Sequence, residues 1–200
     1  MTTNDKVIRA ALNQHLQKLH SGNPKLRIIE ELGVEHGAAR MDVVVINGVL
    51  HGYEIKSDRD TLLRLPEQMG IYNSVFDQIT LVVGKSHLHD AINLVPDWWG
   101  VTLAKVINSN GLISFCSIRK ADENLEKNSV DIASLLWRDE ALHILEQMDH
   151  SRGVRSKPRK VLYERLAAVL DQSTLREKVR ECLFLRTSWR FERQCILSGD

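Results

Sequence analysis

Apolar residues recur along this chain at two periods, and the switches between them mark its elements. Between residues 5 and 20, Ile8, Ala11, Leu12, His15 and Leu19 keep helical spacing, and Asn4 or Asp5 can cap the start. Ser21-Gly22-Asn23-Pro24 ends that helix. Strand patterns follow over 26–34, 39–46 and 49–57, with His36-Gly37 turning between the first two and Asn47-Gly48 between the second pair. Asp58-Arg59-Asp60 opens a helical stretch reaching Phe76, with Leu62, Leu65, Met69, Tyr72 and Phe76 on its apolar stripe. Pro66 suits the first turn of the main helix, where its missing N–H costs nothing. Gln78 to Gly84 is a nearly continuous apolar run, as in a strand buried on both faces. A short helix (87–94) and two strands, about 101–107 and 112–118 across Asn108-Ser109-Asn110-Gly111, complete this part.

The order helix, three strands, helix, strand, helix, two strands predicts an α/β fold around one mixed central sheet. The helical crossover places the 78–84 strand parallel to the 49–57 strand. From residue 121 the texture changes. Residues 121–130 are polar and charged and read as a linker. Residues 131–200 read as a basic helical C-terminal subdomain, with helices over 131–149, 159–170 (started by Pro158) and 174–187. The α/β domain is then 1–120.

Overall charge is uninformative at +1, but its distribution is not. Residues 150–193 hold 12 Lys/Arg against 5 Asp/Glu, leaving 15 against 21 in the rest of the chain. A basic segment on an otherwise acidic chain suits a polyanion, although a solvated helical face explains it equally well. The three cysteines, Cys116, Cys182 and Cys195, lack C-x-x-C spacing and read as reduced thiols. The start has no signal-peptide character and no apolar run is long enough to span a bilayer, so the expected location is cytoplasmic.

The chemistry concentrates on the 39–57 hairpin. Glu54 and Lys56 are two apart on a strand and share a face. A buried hairpin does not ordinarily carry two acids and a lysine without a task. Whether Asp42 joins them depends on the parity of the turn. A two-residue Asn47-Gly48 loop sets Asp42 and Glu54 on opposite faces. A three-residue loop, Ile46-Asn47-Gly48, pairs Asp42 with Gly52 and makes Glu54 its diagonal neighbour, about 7–8 Å away between Cα atoms. For the two carboxylates to converge on one cation, an odd loop, with Gly48 in a left-handed conformation, or a bulge is therefore expected. The competing reading is a same-face ion pair on an exposed strand.

Asp42 and Glu54-Ile55-Lys56, on a hairpin within an α-β-β-β-α-β order, resemble the PD-(D/E)XK nuclease superfamily, which has a restriction-endonuclease-like fold. Met41 stands where that motif has proline. Gln68-x-x-x-Tyr72 is similar to the Q-x-x-x-Y element of the RecB-like branch. The Gly-Tyr-Glu-Ile-Lys-Ser-Asp run and the Arg-Leu-Pro helix start resemble a group of small uncharacterised bacterial proteins of the same superfamily.

The resemblance implies a bacterial or phage nuclease hydrolysing phosphodiester bonds in DNA, or in RNA as second choice, within repair, phage or defence systems. Mg²⁺ or Mn²⁺ would be held by Asp42, Glu54, the Ile55 carbonyl and a fourth acid, chosen as Glu31 over Glu30 and Glu35. Lys56 would orient the attacking water. Gln68 would contact the nucleic acid or that water, with Tyr72 holding its helix near the site. Arg40, Arg59 and Arg64 could contact phosphates. Arg152, Arg155, Lys157, Arg159 and Lys160 could clamp the backbone, extended by Arg176, Lys178, Arg180, Arg186, Arg190 and Arg193. Each is also an ordinary surface charge. The rival reading is a non-catalytic module on the same fold, binding nucleic acid or, through its C-terminal helices, a protein or a second copy.

Overall fold

A computed structural model describes residues 2–107 and 111–186. Helix α1 (Asp5–Leu19) begins where the Asn4 side chain accepts the Val7 N–H at 3.0 Å. Strands β1 (Arg27–Val34), β2 (Ala39–Ile46) and β3 (Leu50–Lys56) follow, then α2 (Leu65–Asn73), β4 (Gln78–Val83), α3 (Leu88–Leu94), β5 (Gly100–Val106) and β6 (Ile113–Arg119). Four helices complete the described chain: α4 (Ser129–Ala133), α5 (Arg138–Gln147), α6 (Arg159–Val169) and α7 (Gln172–Leu185).

The six strands lie side by side in chain order. The β1–β2, β2–β3 and β5–β6 pairs are antiparallel, while β3–β4 and β4–β5 are parallel. The sheet is therefore mixed, with β4 parallel to the site strand as the crossover requires. Among the described residues, helix α1 alone covers one face, where Ile8, Leu12 and Leu16 pack on Val43, Val45, Tyr53, Ile55 and Val82. The other face carries α2, α3 and all four C-terminal helices in one continuous apolar cluster. Leu162, Leu166, Leu175 and Val179 share that core with Met41, Val44, Phe76 and Leu81.

The stretch expected as a linker is strapped to the sheet. Asn124 is buried, its side-chain amide donates to the Asn73 and Phe76 carbonyls, and its backbone N–H donates to the Asp77 carbonyl. The apolar core therefore does not divide at 121–130.

Two helices are shorter than their apolar stripes suggested. The chain from Ser57 to Asp60 closes a turn instead of starting a helix: Asp60 Oδ2 accepts from Ser57 N and Oγ at 2.7 and 2.6 Å. Helix α2 therefore begins at Leu65, with Pro66 in its first turn. The expected 131–149 helix is broken between α4 and α5, where Trp137 is extended and its N–H donates to the Glu140 carboxylate at 2.6 Å. The Asn108–Asn110 turn, Arg190, Arg193, Cys195 and the last residue of the 174–187 helix lie outside the described residues. Among the described residues no helix is long and apolar enough to cross a membrane.

Candidate active site

The hairpin turn has the expected odd parity but a different register. Ile46 pairs with Leu50, so the loop is Asn47-Gly48-Val49, and Gly48 takes the positive φ of 106°. Gly52 pairs with Val44, not with Asp42. Asp42 is therefore level with Glu54 directly across the hairpin rather than diagonal to it.

The β2–β3 ladder stops at Val43–Tyr53, one residue short of that rung. There the Asp42 side chain takes over: its Oδ2 accepts the Ile55 N–H at 2.7 Å. On the other side, the β1–β2 ladder skips the rung of Glu31 and Asp42. Ile29, Leu32 and Val34 of β1, and Val44, Met41 and Ala39 of β2, all join the α2-side core. The step from 29 to 32 and from 44 to 41 is three residues, where strict alternation allows two. The slip is centred on Glu31, whose φ of 56° is left-handed. It turns both acidic side chains out of the regular alternation, towards the end of the sheet.

Glu54 is 2 % exposed and fully engaged. Lys56 Nζ donates to its Oε1 at 2.7 Å, and the Tyr72 hydroxyl lies 3.0 Å from Oε2 and 2.7 Å from the Arg40 carbonyl. Lys56 also donates to Gln68 Oε1 at 3.0 Å, and Gln68 Nε2 donates to the Tyr72 hydroxyl at 3.2 Å. The i, i+4 pair on α2 thus closes a ring with the Glu54–Lys56 strand. Tyr72 is both a buried core aromatic and part of the site. Burial and the Glu54 charge push its phenol well above the ordinary range.

A third element enters from α1, and the hydrophobic pattern gave no sign of it. Arg9 Nη2 lies 2.7 Å from Asp42 Oδ1 and 3.0 Å from Asp5 Oδ2, while Nη1 contacts Glu31 Oε1. Arg40 Nη1 is 3.3 Å from the other Glu31 oxygen. Glu31 therefore does face the site, held there by two arginines. Asp5, Arg9, Glu31, Arg40, Asp42, Glu54, Ile55, Lys56, Arg64 and Gln68 all line one open cleft of about 540 Å³. The only hint of Arg9 in the sequence was its place four residues after Asp5.

Burial, and then the facing Glu54, push the Asp42 carboxyl up to about 7, against the opposing pull of the Ile55 N–H and Arg9. A second cation would relieve that repulsion, and the oxygens of Asp42 and Glu54 are the hard donors that Mg²⁺ or Mn²⁺ take. Among the described residues, no three Asp, Glu, His or Cys side chains form a ready-made metal cage. Mg²⁺ usually binds through one or two carboxylates plus water and substrate phosphate, so two facing acids fit it.

A family model described as bacteriophage P4 protein cII matches residues 1–198. The chain belongs to that family. Protein cII of Enterobacteria phage P4 is 30% identical over 120 residues, which cover 60% of this chain and 45% of that protein. The chain thus spans less than half the length of that curated relative. A protein of unknown function from Silicibacter pomeroyi is a structural neighbour at a TM-score of 0.45 and 18% identity, covering 76% of this chain and 92% of its own.

The remaining candidates of this cII-family chain are scattered. Arg64 lines the cleft, Arg59 is exposed on the turn before α2, and Arg152, Arg155, Lys157, Arg159 and Lys160 are all exposed on the 150–158 loop and the start of α6. Of these five, Arg159 lines a neighbouring cavity that shares Glu31 and Arg40 with the cleft. Arg155 pairs with Glu146 at 3.3 Å. Arg176 and Arg180 turn inward to the buried Asp77 at 2.7 and 3.4 Å, and Arg186 to Glu140, so these three serve the fold rather than an outer basic face.

Proposed function

We propose that this chain is a metal-dependent nuclease with a restriction-endonuclease-like core, hydrolysing phosphodiester bonds, with DNA the first substrate to test. The observation that carries the reading is Asp42 level with Glu54, with Lys56 beside Glu54, Gln68 lining the same cleft and the buried Tyr72 tying Gln68 to Glu54. Asp42 and Glu54 would hold the cation. Bound there, it supplies charge neutralisation on phosphoryl oxygens and acidification of water.

The chain's own groups have distinct tasks. Tyr72 and Lys56 fix the two Glu54 oxygens, so the carboxylate is preorganised and not free to rotate. Lys56 has three N–H donors and spends two on Glu54 and Gln68, leaving the third for a water or a phosphate oxygen. Gln68 sets the lysine's direction from α2. Arg40 and Arg64, both exposed and lining the cleft, would meet flanking phosphates. Arg159 and Lys160 occupy the first turn of α6, where cations oppose the helix dipole, a placement that suits an outside polyanion.

The test is cleavage of plasmid and single-stranded DNA with Mg²⁺ or Mn²⁺, comparing wild type with Asp42→Ala and Lys56→Ala. Metal-dependent cutting lost in both variants supports the reading. Cutting that persists in both reflects a contaminant and removes it. Salt-sensitive DNA binding without turnover would favour the binding-module alternative.

A further inference from the structure

One guanidinium draws three carboxylates together at the end of the sheet. Arg9 meets Asp42 at 2.7 Å and Asp5 at 3.0 Å, and also contacts Glu31. This is not a loose surface cluster: the Arg9 side chain is 17% exposed, and its Nε is buried with no hydrogen-bond partner. The arrangement carries evident local costs. An unsatisfied buried N–H is unfavourable, and Glu31 adopts its left-handed backbone to bring its carboxylate in. Of the three acids Glu31 also meets Arg40, and Glu54 across the hairpin pairs with Lys56, whereas Asp42 relies on a guanidinium it shares with two other carboxylates.

Resting on the metal-dependent reading above, we infer that Arg9 is a positioning residue that holds the place of the divalent cation. It keeps Asp42 converged on the cleft while competing for the same carboxylate oxygen. Uptake of the cation releases Arg9 from Asp42. The freed fork remains tethered to Asp5 on its own helix, at the mouth of a cleft built for a phosphodiester, and a planar guanidinium pairs well with phosphate oxygens.

The experiment measures Mn²⁺ affinity of the full chain from the free-ion electron paramagnetic resonance signal. It compares wild type, Arg9→Gln, Arg9→Lys and Arg64→Gln. Arg9→Gln should bind Mn²⁺ about tenfold more tightly, roughly the worth of one charge-assisted hydrogen bond. Arg9→Lys keeps the charge but loses the fork that bridges three acids, so its affinity should also rise; it decides the matter if Arg9→Gln does not fold. Arg64→Gln removes the same charge from the rim without touching the acids and should change affinity least. Equal or weaker affinity in a folded Arg9→Lys overturns the role of Arg9 alone. Absence of Mn²⁺ binding in every protein overturns it together with the metal-dependent reading. Mn²⁺ binding that follows the expected order, without DNA cleavage by wild type, leaves Arg9 its role and removes the nuclease.

Discussion

Asp77 offers the sharpest test of how the C-terminal helices are joined to the sheet. It is 2 % exposed, between α2 and β4, and its Oδ2 accepts the Leu50 N–H at 2.8 Å. Arg176 and Arg180 of α7 and Lys127 of the preceding strap surround it at 2.7, 3.4 and 3.7 Å. Arg176 lies close to Oδ1 but off the direction of a hydrogen bond, so that contact is ionic. Asp77→Asn keeps the acceptor for Leu50 and removes only the charge, leaving three cations facing a neutral amide. Breaking a buried pair from one side costs about 3–5 kcal/mol. Glu123, 3.8 Å from both Lys127 and Arg176 but 62% exposed, offsets a little of that, so the lower end is expected. For a chain of this size about 3 kcal/mol lowers Tm by roughly 6–12 °C. Thermal unfolding followed by circular dichroism measures it, and hydrogen exchange should show α7 losing protection. A Tm within about 2 °C of wild type would mean that the cations do not depend on Asp77, and the latch would have to be abandoned.

Asp42 and Tyr72 give two further expectations. The Asp42 carboxyl titrates near 7 in the folded chain and near 3.8 when unfolded, so over that window the folded state binds the extra proton. Its contribution is complete below about pH 4 and is lost as pH rises through 7, with a slope of at most about 1.4 kcal/mol per pH unit. Urea unfolding from pH 4 to 8 should show this decline in wild type and a flatter profile in Asp42→Asn; parallel profiles would contradict it. Tyr72→Phe strips the hydroxyl that serves Glu54 Oε2 and the Arg40 carbonyl, and should cost about 1–3 kcal/mol. Unchanged thermal stability would mean that water replaces the hydroxyl without loss.

Periodicity located the strands to within a residue or two because each has one or both faces in a core, and Val43, Val44, Val45 and Ile46 cannot be placed otherwise. Turn chemistry was legible to a lesser degree. Asn47-Gly48 marked the hairpin, and the need for Asp42 and Glu54 to share a face implied an odd loop, but the loop residues were displaced by one, which moved Asp42 from diagonal to opposite. The helix start at 58 misled because Ser57 and Asp60 satisfy each other locally, a competition that an apolar stripe does not reveal. The slip at Glu31 and Asp42 could not be read at all. It depends on two strands losing alternation together, and each looks regular alone. Arg9 and Asp77 were missed for a related reason: apart from Asp5, four residues from Arg9, their charged partners are 22 to 103 residues away, and charge pairing across such distances leaves no local pattern.

Asp77, buried, and Asp42, half-buried, show how differently this chain treats an acid. Asp77 receives three cations and a backbone N–H, and the site binds two halves of the core together. Asp42 receives one shared guanidinium and one N–H while facing another acid, and its proton affinity rises accordingly. The left-handed Glu31, the unsatisfied Arg9 Nε and the interrupted ladders on both sides of Asp42 lie within the same few residues. A chain able to neutralise Asp77 so thoroughly had the means to do the same at Asp42. Strain and a raised proton affinity concentrated at one open cleft are not needs of the fold, and they are what the proposed cation and polyanion site would call for.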